Sequence, residues 1–287
     1  MCKVLAEKGC EKVKKIKIIF WLLVFIIQPL PTSAIVFINQ ECVGINHINI
    51  NCRNYSNPVI YRQIIGNSYQ NRPIEAVYLT PPSHNQTILA TFAIHGFEDQ
   101  YYGDGIILTH IAEQVIKYYS EQPELLKSTR LIIIPCVNPD GINASLSNNG
   151  FGRCNAQGID INRDFDYNWD KIYTRCNKTG DTPFTTPEAQ VLRDIVLKEN
   201  PDIILDFHGW LDCCYSSDSE LKSFFVNSLN LGEEKQALQG YKPMQGYFIG
   251  WASEYARAAL IEYEYNDAYT LSTQTIQTFN CLIQNTY

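Results

Sequence analysis

Five short apolar runs, each closed by polar or charged residues, constrain this chain more than any other feature. They occupy residues 74–79, 88–94, 131–134, 202–207 and 258–261. Runs of this length with polar ends read as buried or half-buried strands. Residues 74–79 alternate in character and stop at Pro81 and Pro82. Helical patterns lie between the runs. Ile107, Ile111 and Val115 recur at helical spacing, with Leu108, Ala112, Ile116 and Tyr119 beside them. Thr186-Pro187-Glu188 places an N-cap, a proline at the first helical position and an acid in the first turn, ahead of Val191, Leu192, Ile195 and Val196. Strands alternating with helices predict a single α/β domain with a mixed, mostly parallel central sheet and helices on both faces. Residues 60–65 read as a short helix or turn. Residues 138–187, rich in Gly, Asn and Asp, read as a long stretch that is either a functional loop or hides an element without a clear period.

In such sheets ligands bind beyond the carboxyl ends of the strands. Three polar groups of matched chemistry stand there. The run at 88–94 delivers His95 and, three residues later, Glu98; the run at 202–207 delivers His208; the run at 258–261 delivers Glu262 and Glu264. A His-x-x-Glu pair alone is common by chance. Two imidazoles and a carboxylate gathered at strand ends make the three-ligand set of a catalytic zinc, with a fourth position open.

Bulk properties narrow the class. The chain has 287 residues, 45% apolar and 18% charged, which describes a globular protein. Its net charge of −7 gives no basic footprint for nucleic acid. The N-terminus differs from the rest: Lys12, Lys14, Lys15 and Lys17 precede the uninterrupted apolar residues 18–27, then Pro29, Pro31 and Thr32-Ser33-Ala34. That order is a secretory signal peptide over residues 1–34, cleaved after Ala34. The apolar run falls short of the ~20 residues of a bilayer span. The chain is therefore expected to be secreted or periplasmic, with no stable membrane insertion after cleavage; an uncleaved membrane anchor is the alternative. Residues 35–57 read as a lead-in and 58–287 as the functional domain. Beyond Ala34 the cysteines are even in number, which points to disulfides, and Cys42–Cys52 and Cys154–Cys176 are the pairs closest in sequence.

Taken in order, His95-Gly96-Phe97-Glu98, Asn138-Pro139-Asp140-Gly141, Arg153, the segment Gly158-Ile159-Asp160-Ile161-Asn162-Arg163-Asp164-Phe165, Pro187-Glu188 and Asp206-Phe207-His208-Gly209 resemble the zinc carboxypeptidase family, the carboxypeptidase A-like metallopeptidases. The look is that of its small bacterial branch without an activation propeptide, some members of which trim peptidoglycan peptides. The resemblance implies one Zn2+ per chain, held by His95, Glu98 and His208. It implies hydrolysis of a C-terminal peptide bond by a zinc-activated water with a glutamate general base, Glu262 in first place and Glu264 in second. It assigns Arg153 to the oxyanion, Asn162 and Arg163 to the free C-terminal carboxylate of a peptide substrate, Asp160 to the orientation of a ligating histidine, and Tyr241, or else Tyr247, to a cap over the substrate.

Two residues depart from the family pattern. Phe97 stands where pancreatic-type enzymes carry arginine. Asp164 stands where asparagine is usual, which sets a negative charge beside Arg163 that weakens the carboxylate grip or favours a substrate also carrying an amino group. The expected function is a secreted zinc metallocarboxypeptidase acting on cell-wall-derived peptides. The alternatives are a zinc-dependent deacylase of N-acyl amino acids and a non-catalytic peptide-binding relative.

Overall fold

The structure is a computed structural model that describes residues 57–98, 104–146, 152–174, 176–232 and 244–284. The expected signal peptide and nearly all of the expected lead-in lie outside these residues, as does Tyr241. Seven strands form one sheet: β1 (Val59–Asn67), β2 (Pro73–Thr80), β3 (Gln86–Phe92), β4 (Thr129–Ile134), β5 (Ile203–Gly209), β6 (Cys213–Tyr215) and β7 (Arg257–Tyr263). The helices are α1 (Asp104–Glu121), α2 (Pro139–Leu146), α3 (Pro187–Glu199), α4 (Ser219–Leu229), α5 (Phe248–Ala252) and α6 (Ala268–Gln284). None of the helices among the described residues is long and apolar enough to cross a membrane.

The strand order is β1-β2-β4-β3-β5-β7-β6. The four central strands β4, β3, β5 and β7 run parallel, and β1, β2 and β6 pair antiparallel at the edges. The sheet is therefore mixed and parallel in its centre, as the alternation of strands and helices predicts. From β3 the chain moves to β4 on one side and returns to β5 on the other. That reversal opens a crevice at the carboxyl ends of β3 and β5, the place where parallel sheets bind ligands. His95 and His208 emerge there.

Helices cover both faces. On one face α1, α4 and α6 pack Leu108, Ile111, Val115, Phe225 and Phe279 against Ile88, Ala90, Phe92, Leu205 and Phe207. On the other, α3 and α5 pack Leu192, Ile195, Phe248 and Trp251 against Leu89, Ile132, Ile204 and Leu260. Successive residues of β3 thus enter opposite cores, which is why its run is continuously apolar rather than alternating.

Three sequence expectations need correction. Residues 60–65 belong to strand β1, not to a helix or turn. β1 is an edge strand, exposed along most of its length and bulged between Ile64 and Gly66, so it carries no clean period; pairing with β2 makes it a strand. The long loop contains helix α2, whose interior Gly141 and leading Pro139 hide the helical pattern. Asn138 caps it by accepting the Gly141 N–H at 2.8 Å. Cys136, Cys176 and Cys281 carry free thiols, so Cys154 and Cys176 are not bridged.

The chain leaves β3 through Ala93, whose φ of 53° turns it sharply. Backbone bonds Val137 N–H to Phe92 O (3.0 Å), Asn138 N–H to Ala93 O (3.1 Å) and Gly96 N–H to Gly152 O (2.8 Å) fix the exit. Here the backbones touch. A Cβ on Gly96 would stand 2.1 Å from the Gly141 carbonyl carbon. Gly96→Ala is expected to cost about 2 kcal/mol through overpacking against backbone that cannot yield, roughly 4–8 °C in Tm for a domain of this size. An unchanged Tm by calorimetry would show that the contact is soft.

Candidate metal centre

Strand ends bring the expected ligands together. The ligand atoms of His95, Glu98 and His208 all lie within 4.8 Å of one another, and all three residues are buried. His95 Nδ1 is 2.5 Å and His208 Nδ1 3.0 Å from Glu98 Oε1. Gly209 N–H donates to Glu98 Oε2 at 2.8 Å, so the second carboxylate oxygen is held by β5 itself. The far sides of both rings meet carboxylates. His95 Nε2 is 2.8 Å from Asp160 Oδ1, and His208 Nε2 is 2.8 Å from Asp206 Oδ2. Asp206 is anchored in turn by the Thr91 hydroxyl at 2.7 Å.

Asp206 had no role in the sequence reading. The signal was there: Asp206 and His208 are two apart on one strand and so share a face.

This donor set fits a zinc ion. An ionised carboxylate only accepts, so Asp160 and Asp206 take the Nε2–H of each imidazole. That fixes the tautomer of each ring once it is neutral, with both Nδ1 atoms converging on a carboxylate oxygen. Electrostatics follow the same geometry. Burial alone would raise the Glu98 carboxyl, but His208 and His95 hold it well below the usual range. Burial would likewise raise Asp160, and His95, Arg153 and Arg163 override it. Burial would lower His208, yet Asp206 and Glu98 raise it well above an ordinary imidazole.

Of the remaining expected residues, Arg153 contacts this centre and Glu262 lies on the strand beside it. Glu262 sits opposite His208 in the β5–β7 register and is 7% exposed. Glu264 lies past the end of β7 and is exposed. Burial, reinforced by the Glu98 charge and opposed by His208 and Arg153, pushes the Glu262 carboxyl up to about 8. A nearby dication would lower it again. Arg153 reaches 3.5 Å from Glu98 Oε1 and 3.3 Å from Asp160 Oδ2. Asn162 accepts the Phe248 N–H on its side-chain oxygen at 2.8 Å, which orients its amide. The Arg163 guanidinium stacks 4.3 Å over the Tyr247 ring. Phe97 is half-buried between the ligands His95 and Glu98.

Asp164 does not face this site. Its Oδ2 accepts from Thr186 N–H (2.7 Å) and the Thr186 hydroxyl (2.8 Å) at the start of α3. It is fully buried, and burial pushes its carboxyl up to about 6. It is therefore not a charge set against the carboxylate grip, nor a contact for a substrate amine. Residues 161–163 form a 3-10 turn, in which neighbours in sequence diverge in space.

A sequence model of the zinc carboxypeptidase family matches residues 50–223. The chain belongs to the zinc carboxypeptidase family. Membership supports a zinc-dependent peptide hydrolase. Bacteriocin BCN5 of Clostridium perfringens is 33% identical over 185 residues, 62% of this chain but 20% of that protein. Gamma-D-glutamyl-L-diamino acid endopeptidase 1 of Lysinibacillus sphaericus is 24% identical over 222 residues, 66% of this chain and 54% of that protein. The chain thus spans a fifth of the first relative and about half of the second. Murein-tripeptide amidase MpaA from Escherichia coli O157 shares the fold with a TM-score of 0.57 and 20% identity, over 78% of this chain and 91% of that one. The family match ends at residue 223, short of Glu262. The pairing of β7 with β5 sets that carboxylate opposite His208.

Two outcomes are expected. Asp206→Ala should weaken zinc binding roughly 10- to 100-fold in competition with a chromophoric chelator, as loss of a ligand's orienting carboxylate does. Zinc affinity should also fall as pH is lowered, starting above the ordinary imidazole range near ~6.5, because the proton held by His208 must leave before its nitrogen can bind. Affinity that is flat between about pH 6 and 9 would contradict this picture.

Proposed function

We propose that the chain is a zinc metallocarboxypeptidase that removes a C-terminal residue from peptides derived from the cell wall. The observation that carries this reading is the buried Glu262 carboxylate, set directly opposite His208 and close to a complete ligand set. A zinc ion held by His95, Glu98 and His208 would supply Lewis-acid chemistry, acidifying a water and polarising the scissile carbonyl. Glu262 takes a proton from the attacking water and returns it to the leaving amine. Its place in a buried strand end suits a group that must hold a proton between two steps. Arg153, 15% exposed beside Glu98, brings a fixed positive charge to the oxyanion without needing a proton of its own.

Arg163 supplies the grip on the substrate. Its planar guanidinium fork suits a carboxylate, and the buried Nε has no hydrogen-bond partner among the described residues. Nη1 donates to the Asn162 carbonyl at 2.8 Å, and the Tyr247 ring supports one face of the guanidinium. An orphaned donor of this kind is costly unless a ligand completes it.

The substrate class is supported by the names of relatives, a γ-D-glutamyl-diamino acid endopeptidase and, at the level of fold, a murein-tripeptide amidase. The N-terminal signal-like segment would bring the chain to such substrates, secreted or periplasmic. A deacylase of N-acyl amino acids would use the same metal chemistry and differ in the grip. A non-catalytic peptide-binding module would need the grip but not a buried base beside the ligands.

Glu262→Gln is expected to lower kcat about 10²–10⁴-fold while zinc stays bound, whereas Glu264→Gln should leave kcat unchanged. Full activity in both single variants would sink the proposed base. Free-acid peptides should be cleaved in strong preference to their C-terminal amides, and Arg163→Ala should erase that preference through KM. Equal cleavage of acid and amide by the unaltered protein would remove the carboxypeptidase reading. Mass spectrometry of products from muropeptides and from ordinary L-peptides identifies the substrate class.

A further inference from the structure

The Pro187-Glu188 motif is not used by the chemistry described so far, yet it holds a fully buried carboxylate. Glu188 lies at the start of α3. Its Oε1 accepts the Tyr69 N–H from the β1–β2 turn at 2.9 Å, and its Oε2 accepts the Asn155 side-chain amide at 2.9 Å. Both partners are donors. Only a group that accepts at both ends satisfies them together, which explains a carboxylate where an apolar side chain would be cheaper to bury.

Asn155, 3% exposed, is the closing point of a tight turn. Its Oδ1 accepts from Gln157 N–H (2.9 Å) and Ile159 N–H (3.2 Å). Its backbone N–H donates to Ile159 O and its carbonyl accepts from Gly158 N–H, both at 2.9 Å, with Gly158 at φ +74°. Two site residues flank this turn. Arg153 precedes it by two residues and Asp160 follows it directly, and Arg153 Nε bonds Asp160 Oδ2. Asp160 is the carboxylate that orients His95. A nearby buried carboxylate, Asp140 of α2, clamps the same β1–β2 turn through the Ser68 hydroxyl (2.8 Å), Gln70 N–H (2.9 Å) and Arg72.

We propose that Glu188 is a positioning residue of the active site: through Asn155 it fixes the 155–159 turn, and so sets both Asp160 behind His95 and Arg153 beside Glu98. The inference rests on the reading of His95, Glu98 and His208 as a zinc site and of Arg153 as the oxyanion residue.

The test is a polarity swap in the full-length zinc-loaded protein. Glu188→Gln sets an amide donor against a donor. Asn155→Asp sets two carboxylates against each other. The double variant restores the link with its direction reversed: the new amide on 188 donates to the new carboxylate on 155, while Tyr69, Gln157 and Ile159 keep their acceptors. Each single change should weaken zinc roughly tenfold in chelator competition and lower kcat with little change in KM. The double variant should recover both. Glu188→Asp, which keeps the charge and shortens the reach by one methylene, should show a partial loss of both and serves where a single variant does not fold.

A role confined to packing predicts the opposite pattern: a lower Tm with zinc affinity and kcat unchanged. That result, or a double variant no better than the worse single, would overturn the proposal. Should the unaltered protein bind zinc yet hydrolyse no peptide, the zinc readout still decides the role of Glu188 apart from that of the catalytic reading.

Discussion

The site depends on two carboxylates that stand behind its histidines. Asp160 and Asp206 each take the Nε2–H of one histidine, and this turns both Nδ1 atoms toward Glu98. Without them the rings could rotate or change tautomer, and three acceptors would have no reason to converge. The arrangement places three buried carboxylates and two imidazoles in one small volume. Burying charge without compensation is costly. Here each carboxylate is paired: Asp160 with His95 and Arg153, Asp206 with His208 and Thr91, Glu98 with both histidines and the Gly209 N–H. The cluster still carries an excess of acceptors, and a dication is the group that would resolve it.

The fold supplies the rigidity this requires. β3 and β5 are buried on both faces and pair in parallel, Phe92 beside Phe207, with the two rings stacked at 4.5 Å. One strand carries His208 as its penultimate residue and the other leads, after the Ala93 bend, to His95. Strand order reverses between β3 and β5, and ligands of parallel sheets bind beyond the carboxyl ends of the strands at such a point. The neighbouring β7 then carries Glu262 into the same row as His208. His208 and Glu262 thus sit on adjacent strands of one sheet, so their separation is set by strand spacing rather than by a loop.

Much of this was legible in the sequence, for a physical reason. Strands buried on both sides must be continuously apolar, so β3, β4, β5 and β7 stand out, and polar residues at their ends become conspicuous. His95, Glu98 and His208 were readable on that ground. Strand alternation puts Glu262 and Glu264 on one face, and the apolar run 258–261 sets Glu262 first; in the structure the strand ends at Tyr263, with Glu262 buried and Glu264 exposed. Asp206 went without a role because the apolar run of β5 drew attention to burial rather than to face. β1 hid because an exposed edge strand bulged after Ile64 has no period. α2 hid because Gly141, where an added Cβ would stand 2.4 Å from the Gly152 carbonyl oxygen, breaks the helical signal. Asp164 was misread because adjacency to Arg163 in sequence is not adjacency in a 3-10 turn.

The central claim is that His95, Glu98 and His208 hold a single zinc ion through two Nδ1 atoms and a carboxylate. X-ray absorption at the zinc edge of the purified protein tests it directly. The account predicts one zinc per chain in a shell of nitrogen and oxygen only, at about 2.0–2.2 Å, with the outer scattering of two imidazoles that falls to one in His208→Ala. A shell containing sulfur at about 2.3 Å, or a protein that retains no zinc, would contradict it.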